Sequence, residues 1–256
     1  MMTEQIPLLA AFSSPKGEYW AVLLCGEQHR VAIVPAADNQ SDRTQPQWSA
    51  ITAIPDEQGG WRISGEHASA AENSTPELSL KLDHVMATTS SHQPEGELWS
   101  YRLHGSATIS SQVVQLDLPG LMAAVPPAGE LDSLRIFSAN FEGGSQVSLM
   151  SGRPQGAKGQ DRDRMAVVVQ GEQSRLVFDP QLSTTYGPDA LPRRAALELW
   201  IGDDEAGEQY PLRVSGVVHG SSLSATIEGY QLSIQSLDCL ARNERGRGLY
   251  LLLRAA

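Results

Sequence analysis

The chain has 256 residues, with 19 Lys and Arg against 30 Asp and Glu and a formal net charge of -11. That length has room for two cores of ordinary size. The acidic balance excludes a general phosphate-binding surface, and with it a nucleic-acid partner, because such affinity comes largely from cationic contacts.

The N-terminal stretch MMTEQIPLLAAF carries an acidic residue and no Lys or Arg before a very short apolar run, so it fails as a secretory signal. No apolar run approaches the roughly 20 residues that cross a bilayer, and the expectation is a cytoplasmic chain with no membrane span. The first predicted strands lie in WAVLLCGEQHRVAIVP (20–35), a hairpin turned by Gly-Glu-Gln. QPQWSAITAIPDEQGGWRISGEH then reads as a second hairpin, over 48–54 and 61–66, with a Gly-Gly turn and a Trp in each arm. In LDHV (82–85), Asp83 and His84 are adjacent, so on a strand they point to opposite faces and form no dyad with each other. YRLHG (101–105) and QLDL (115–118) continue the alternation, PGLMAAV (119–125) is expected as a short helix, and LRIFSA (134–139) as a strand. EGGSQVSLMSGRPQGAKGQDRD is rich in Gly, Ser and charge and reads as an edge element followed by a linker.

From residue 165 the chain repeats itself. MAVVVQGEQSRLVFDP (165–180) matches 20–35 at an offset of 145, LRVSG (212–216) matches YRLHG at 111, QLSI (231–234) matches QLDL at 116, and LYLLLR (249–254) matches LRIFSA at 115. The matches keep their order and the offset falls once, so one insertion of roughly 30 residues separates the copies. SLDCLARN (236–243), the counterpart of PGLMAAV, is expected as a short helix as well. The fold class is therefore all-β: two tandem, internally duplicated antiparallel units, each a barrel or a sandwich. The first unit is assigned to 1–141 with an inserted hairpin within about 36–98, the linker to 142–162 and the second unit to 163–256. Two such copies are expected to pack around a pseudo-twofold axis. Arg102 and Arg213 recur mid-strand, as an ion pair or interdomain contact on one reading and as a cation lining each pocket on the other.

Chemistry is sparse. No G-x-S-x-G, H-E-x-x-H or C-x-x-C occurs, and GRPQGAKG (152–159) lacks the Ser or Thr of a P-loop. The six His (29, 67, 84, 92, 104 and 219) show no ligand spacing, so no metal and no cofactor is expected. Asp203, Asp204 and Glu205 read as a polar hairpin tip. The short basic clusters (Arg162 and Arg164, Arg193 and Arg194, and Arg242, Arg245 and Arg247) read as solvated loop charge. Cys25 and Cys239 sit on apolar runs in different halves, the pattern of buried reduced thiols rather than of a disulfide framework. Trp20, Trp48, Trp61 and Trp99 all precede residue 100. Their indoles either pack a core or line a small-molecule pocket, with Trp48, Trp61, Trp99 and Tyr101 as apolar walls and His84 or His104 as a polar contact.

Two tandem antiparallel β units of unequal size, the last ending in RGRGLYLLLR (245–254), resemble the two-domain lipocalin-like proteins of the AttH and carotenoid-hydratase type. That group is similar in plan to lipocalin-like natural-product cyclases. The resemblance implies an enzyme or carrier acting on an apolar small molecule, without metal, by holding it in a reactive shape for cyclisation or isomerisation in a water-poor cavity. It carries over no catalytic residue. The alternative is a non-enzymatic protein-interaction or assembly module, with a protein partner or a second copy of the chain on its β surface.

Overall fold

The computed structural model describes residues 8–25, 29–35, 48–55, 61–66, 77–85, 89–91, 98–109, 112–127, 129–158, 164–170, 176–202, 210–227 and 229–256. The two Gly-Glu-Gln turns, Arg162, His67, His92 and the acidic run 203–205 lie outside the described residues.

Alternating apolar residues give strands throughout. In chain order these are β1 (Leu8–Ser13), β2 (Tyr19–Cys25), β3 (Arg30–Pro35), β4 (Ser49–Pro55), β5 (Trp61–Glu66), β6 (Glu77–Val85), β7 (Thr89–Ser91), β8 (Leu98–Ile109) and β9 (Gln112–Ala124). They continue with β10 (Leu131–Phe141), β11 (Gln146–Pro154), β12 (Arg164–Gln170), β13 (Leu176–Tyr186), β14 (Pro192–Gly202), β15 (Tyr210–Ile227), β16 (Tyr230–Ala241) and β17 (Glu244–Ala255).

Strands β1 to β6, β8 and β9 form a closed antiparallel barrel, sealed where β1 meets β9 from Leu8↔Ala124 to Phe12↔Gly120. Gly120 permits that closure, because a Cβ there would strike the Ala11 carbonyl and the Phe12 side chain. The remaining strands form a second, nearly closed sheet in the order β13-β14-β15-β16-β17-β10-β11-β12-β7. The repeat is visible in the pairing. β8 and β9 pair as β15 and β16 do, and β2 pairs with β3, but the matching hairpin expected over 165–180 is not formed among the described residues, where β12 is bonded to β11 and β7 and β13 to β14. In the barrel the β4–β5 hairpin stands between β3 and β6, whereas β13 pairs directly with β14.

The two segments expected as short helices are strands. Residues 119–124 belong to β9 and 236–241 to β16. The cause lies in their surroundings. Met122 points into the barrel, while Leu121 and Ala123 face the second sheet, so both faces are apolar and the run loses its period-two signature. The stretch after Phe141 also contains a full strand, for β11 is bonded to β10 on one side and β12 on the other.

Strand β10 follows the barrel in sequence but lies between β17 and β11. With the repeat offset of 115, the counterpart of Ile136 is Leu251, and Ile136 is paired with Leu251 in the β10–β17 ladder. A strand that pairs with its own repeat about such a point obeys a local twofold, as at an isologous interface.

The apolar residues sort into three clusters. Phe12, Leu23, Leu103, Met122 and their neighbours fill the inside of the barrel. Phe137, Leu149, Leu197, Tyr250 and Leu252 form the core on the inner face of the second sheet. The largest cluster joins the two sheets: Leu9, Trp20, Val22 and Leu121 from the outside of the barrel pack on Ile136, Leu223, Tyr230, Leu249, Leu251 and Leu253. Alternation along β17 explains the split, with Leu249, Leu251 and Leu253 facing the barrel and Tyr250 and Leu252 facing the opposite way.

Polar stitches cross the same junction. Asn140 Nδ2 donates to Ser13 O at 3.2 Å, Ser13 Oγ at 2.8 Å and Pro119 O at 3.1 Å, and Gln146 Nε2 donates to Gly120 O at 2.9 Å. The carbonyls bonded in this way lie at the end of the β1–β9 ladder, next to Phe12↔Gly120.

Candidate functional site

Between Tyr101 and Thr108, odd-numbered residues of β8 face the barrel interior and even-numbered ones face outward, which decides the fate of two of the expected site residues. Tyr101, Leu103 and Ala107 belong to the inner cluster, and Tyr101 is buried. Trp61, the first residue of β5, is half-buried against the same cluster, beside Ile51 and Ala53 of β4. The structure therefore brings Trp61 and Tyr101 to one apolar interior.

Trp48 goes elsewhere. It packs against the cluster between the sheets, and its Nε1 donates to Ser224 O on β15 at 3.2 Å. His104 lies on the outer face, half-exposed, with Nδ1 3.4 Å from Asp83 Oδ2, while Lys81 Nζ is 2.6 Å from Asp83 Oδ1. The backbone of Trp99 is paired with Met122 and that of His84 with Tyr101, but their side chains lie outside the described residues.

The described members of the inner cluster carry no charge. Its polar atoms are few: the hydroxyls of Tyr19 and Tyr101, the indole N–H of Trp61 and the thiol of Cys25. Burial pushes that thiol up to about 12, so at neutral pH it is a protonated, inert SH rather than a nucleophile. No group of three His, Cys, Asp or Glu able to hold a metal occurs among the described residues.

Tyr101 has a second neighbourhood. It forms part of the wall of a cleft of about 200 Å³ at the seam between barrel and second sheet, together with Pro15, Arg102, Asp117, Pro119 and Asn140. Arg102 grips Asp117 with two bonds, Nε to Oδ1 at 2.5 Å and Nη2 to Oδ2 at 2.7 Å. The hydrogen bond from Arg102 holds the Asp117 carboxyl below the usual carboxylate range and raises the guanidinium in return. Arg213, the counterpart of Arg102, is likewise paired, with Nε 2.9 Å from Glu198 Oε2, at the edge of a groove of about 530 Å³ on the second sheet. The recurring arginines are thus ion-pair partners that also line a cleft each.

Sequence reasoning missed Asp117 and Asn140. Asp117 was findable, since the QLDL ladder sets it across from His104 and beside Arg102. Asn140 carried a subtler signal, a lone amide in the apolar strand LRIFSANF.

No protein-family model and no curated protein matches the chain. Its fold is similar to a crystal structure described as that of an AttH candidate from Nitrosomonas europaea, with a TM-score of 0.57 at 10% identity over 96% of this chain and 90% of that one. The plan of two barrel-like antiparallel sheets is thus shared with that structure over most of the chain. At that identity the likeness concerns the fold. No helix among the described residues is long and apolar enough to cross a membrane.

Proposed function

We propose that the barrel binds an apolar small molecule on its inner face, with Trp61 and Tyr101 as the aromatic contacts. The observation that carries this reading is the composition of the described interior: apolar, uncharged, and furnished with three aromatic side chains, Tyr19, Trp61 and Tyr101, that each bear one polar atom. An eight-stranded barrel has an interior that either is filled by side chains or holds one small ligand. Alanines at 10, 21, 53 and 107 are the smallest side chains on this inner face. The AttH-like plan supports the same reading by fold analogy.

If chemistry follows binding, it is metal-free cyclisation or isomerisation, in which the wall holds a flexible apolar substrate in one reactive shape away from water. The buried Cys25 thiol takes no nucleophilic part in it.

Intrinsic tryptophan fluorescence, titrated with a panel of apolar and polyketide-like molecules, tests the proposal. The expected result is saturable quenching that is lost in Trp61→Phe, weakened in Tyr101→Phe and kept in Trp48→Phe, whose indole packs between the sheets. Absence of saturable quenching with every ligand, or quenching that survives in Trp61→Phe, overturns it.

A further inference from the structure

The cleft at the seam between barrel and second sheet is built from segments distant in the chain. Arg102 and Asp117 reach it from β8 and β9, Asn140 from the end of β10, and Glu142 from the turn that leads to β11. Backbone bonds hold that turn. Phe141 N–H donates to Ser145 O and Gly144 N–H to Phe141 O, each at 2.9 Å, and Glu142 N–H donates across to Arg245 O on β17 at 3.2 Å. Gly144, at φ 88°, borders open space, for a Cβ there would meet nothing within 4 Å. At about 200 Å³ the cleft has far more room than one water needs and less than a drug-sized ligand takes, which sets the scale of its occupant.

Two polar groups of this wall lack partners. Asn140 is 1% exposed, and the bonds from its Nδ2 to Ser13 and Pro119 decide which end of the amide is which. Its Oδ1 is then left buried with no donor, an arrangement that native interiors avoid. Arg247, the cation paired with Asn140 in the β10–β17 ladder, is bonded to Asp238 instead. The second group is the Glu142 carboxylate, which is exposed and makes no hydrogen bond or ion pair among the described residues. Arg102, the cation of the wall, is held by both oxygens of Asp117. The ionised residues lining the cleft, Arg102, Asp117 and Glu142, therefore leave one net negative charge.

We infer that the seam cleft is a binding site for a small organic cation, a primary ammonium group on a compact carbon skeleton, with the Glu142 carboxylate as counter-ion and Asn140 Oδ1 as hydrogen-bond acceptor. Both protein groups only accept, so the occupant must donate, and an ammonium carries three donors. Its charge balances the wall, whereas a neutral hydroxyl leaves Glu142 uncompensated and an anion is repelled. Pro119 and Phe141 offer apolar surface for the carbon skeleton. The formal charge of -11 on the whole chain favours the approach of such a cation. Arg102 and Asp117 are exposed residues of the barrel strands, so the cleft opens outside the barrel interior, and the inference does not rest on what the barrel binds.

Isothermal titration of the full chain at neutral pH and fixed ionic strength with benzylamine, benzyl alcohol and benzoate tests it. Saturable binding of benzylamine is expected, at least about fivefold tighter than that of either other probe. Glu142→Gln should weaken it at least about fivefold, while Glu130→Gln, which removes the same charge from an exposed position before β10, should leave it unchanged. Benzyl alcohol or benzoate binding as tightly as benzylamine, or full binding in Glu142→Gln, overturns the inference. So does the absence of saturable heat with benzylamine, which would leave water as the partner of Asn140 Oδ1. Glu142 is exposed on a turn, so its variant remains informative where Asn140→Ala fails to fold.

Discussion

Leu251→Ala asks whether the apolar layer between barrel and second sheet makes them one cooperative unit. Leu251 has 0% exposure, sits opposite Ile136 on one side and Ile234 on the other, and belongs to the cluster that receives Leu9, Val22 and Leu121 from the barrel. Removing three buried carbons there costs the transfer free energy plus a cavity term, about 2–5 kcal/mol for Leu to Ala. With a urea m-value of about 3 kcal/mol/M, a loss of about 3 kcal/mol moves the midpoint down by about 1 M. Fluorescence can follow each sheet separately. Four tryptophans precede residue 100 and Trp200 lies on β14, so Trp200→Phe leaves only the indoles of the first half as reporters. In that background Leu251→Ala is expected to shift the signal of the first half by the same 1 M or so. A barrel transition that stays in place would show that the layer does not couple the sheets.

Two further predictions rest on buried polar groups. Burial pushes both Cys25 and Cys239 from 9.0 up to about 12, so neither thiol should react with a disulfide reagent in the native state at pH 8, while both should react once the chain is unfolded in urea. Because the folded values are raised, their stability contribution is full below pH 9 and falls between pH 9 and about 12, by up to about 1.4 kcal/mol per pH unit per thiol; Cys239→Ala should flatten that decline in denaturation midpoints. Asn140→Ala deletes the three bonds to Ser13 and Pro119 and should cost about 2–3 kcal/mol. Asn140→Asp turns a carboxylate toward the same oxygens, which raises its folded pKa above the ordinary value. That variant should melt lowest at neutral pH and recover as the pH falls and the carboxyl gains a proton to donate.

Much of the fold was legible because duplication writes it twice. The Gly-Glu-Gln hairpin marks β2–β3, its copy marks the strands β12 and β13 though not a ladder between them among the described residues, and the tryptophan arms mark β4 and β5. The run at 119–125 misled because a strand covered on both faces resembles a buried helical turn in composition, and the expectation for 236–243 was taken from it as its counterpart. Parity held more than was drawn from it. Tyr101 and Trp61 share a face with the odd-numbered core residues of their strands, while His104, on an even position of β8, falls on the opposite face and Trp48 lies just before β4 against the other cluster.

Strand β10 has one more consequence, for the history of the chain. It is encoded with the first copy yet completes the sheet of the second, as a swapped strand does in a dimer whose two subunits have since been joined into one polypeptide. Recombination that moved the second half to another gene at the turn after Phe141 would leave β17 and β11 with bare edges, and the barrel half with an orphaned apolar strand. The two copies can therefore drift in sequence, but they are inherited together.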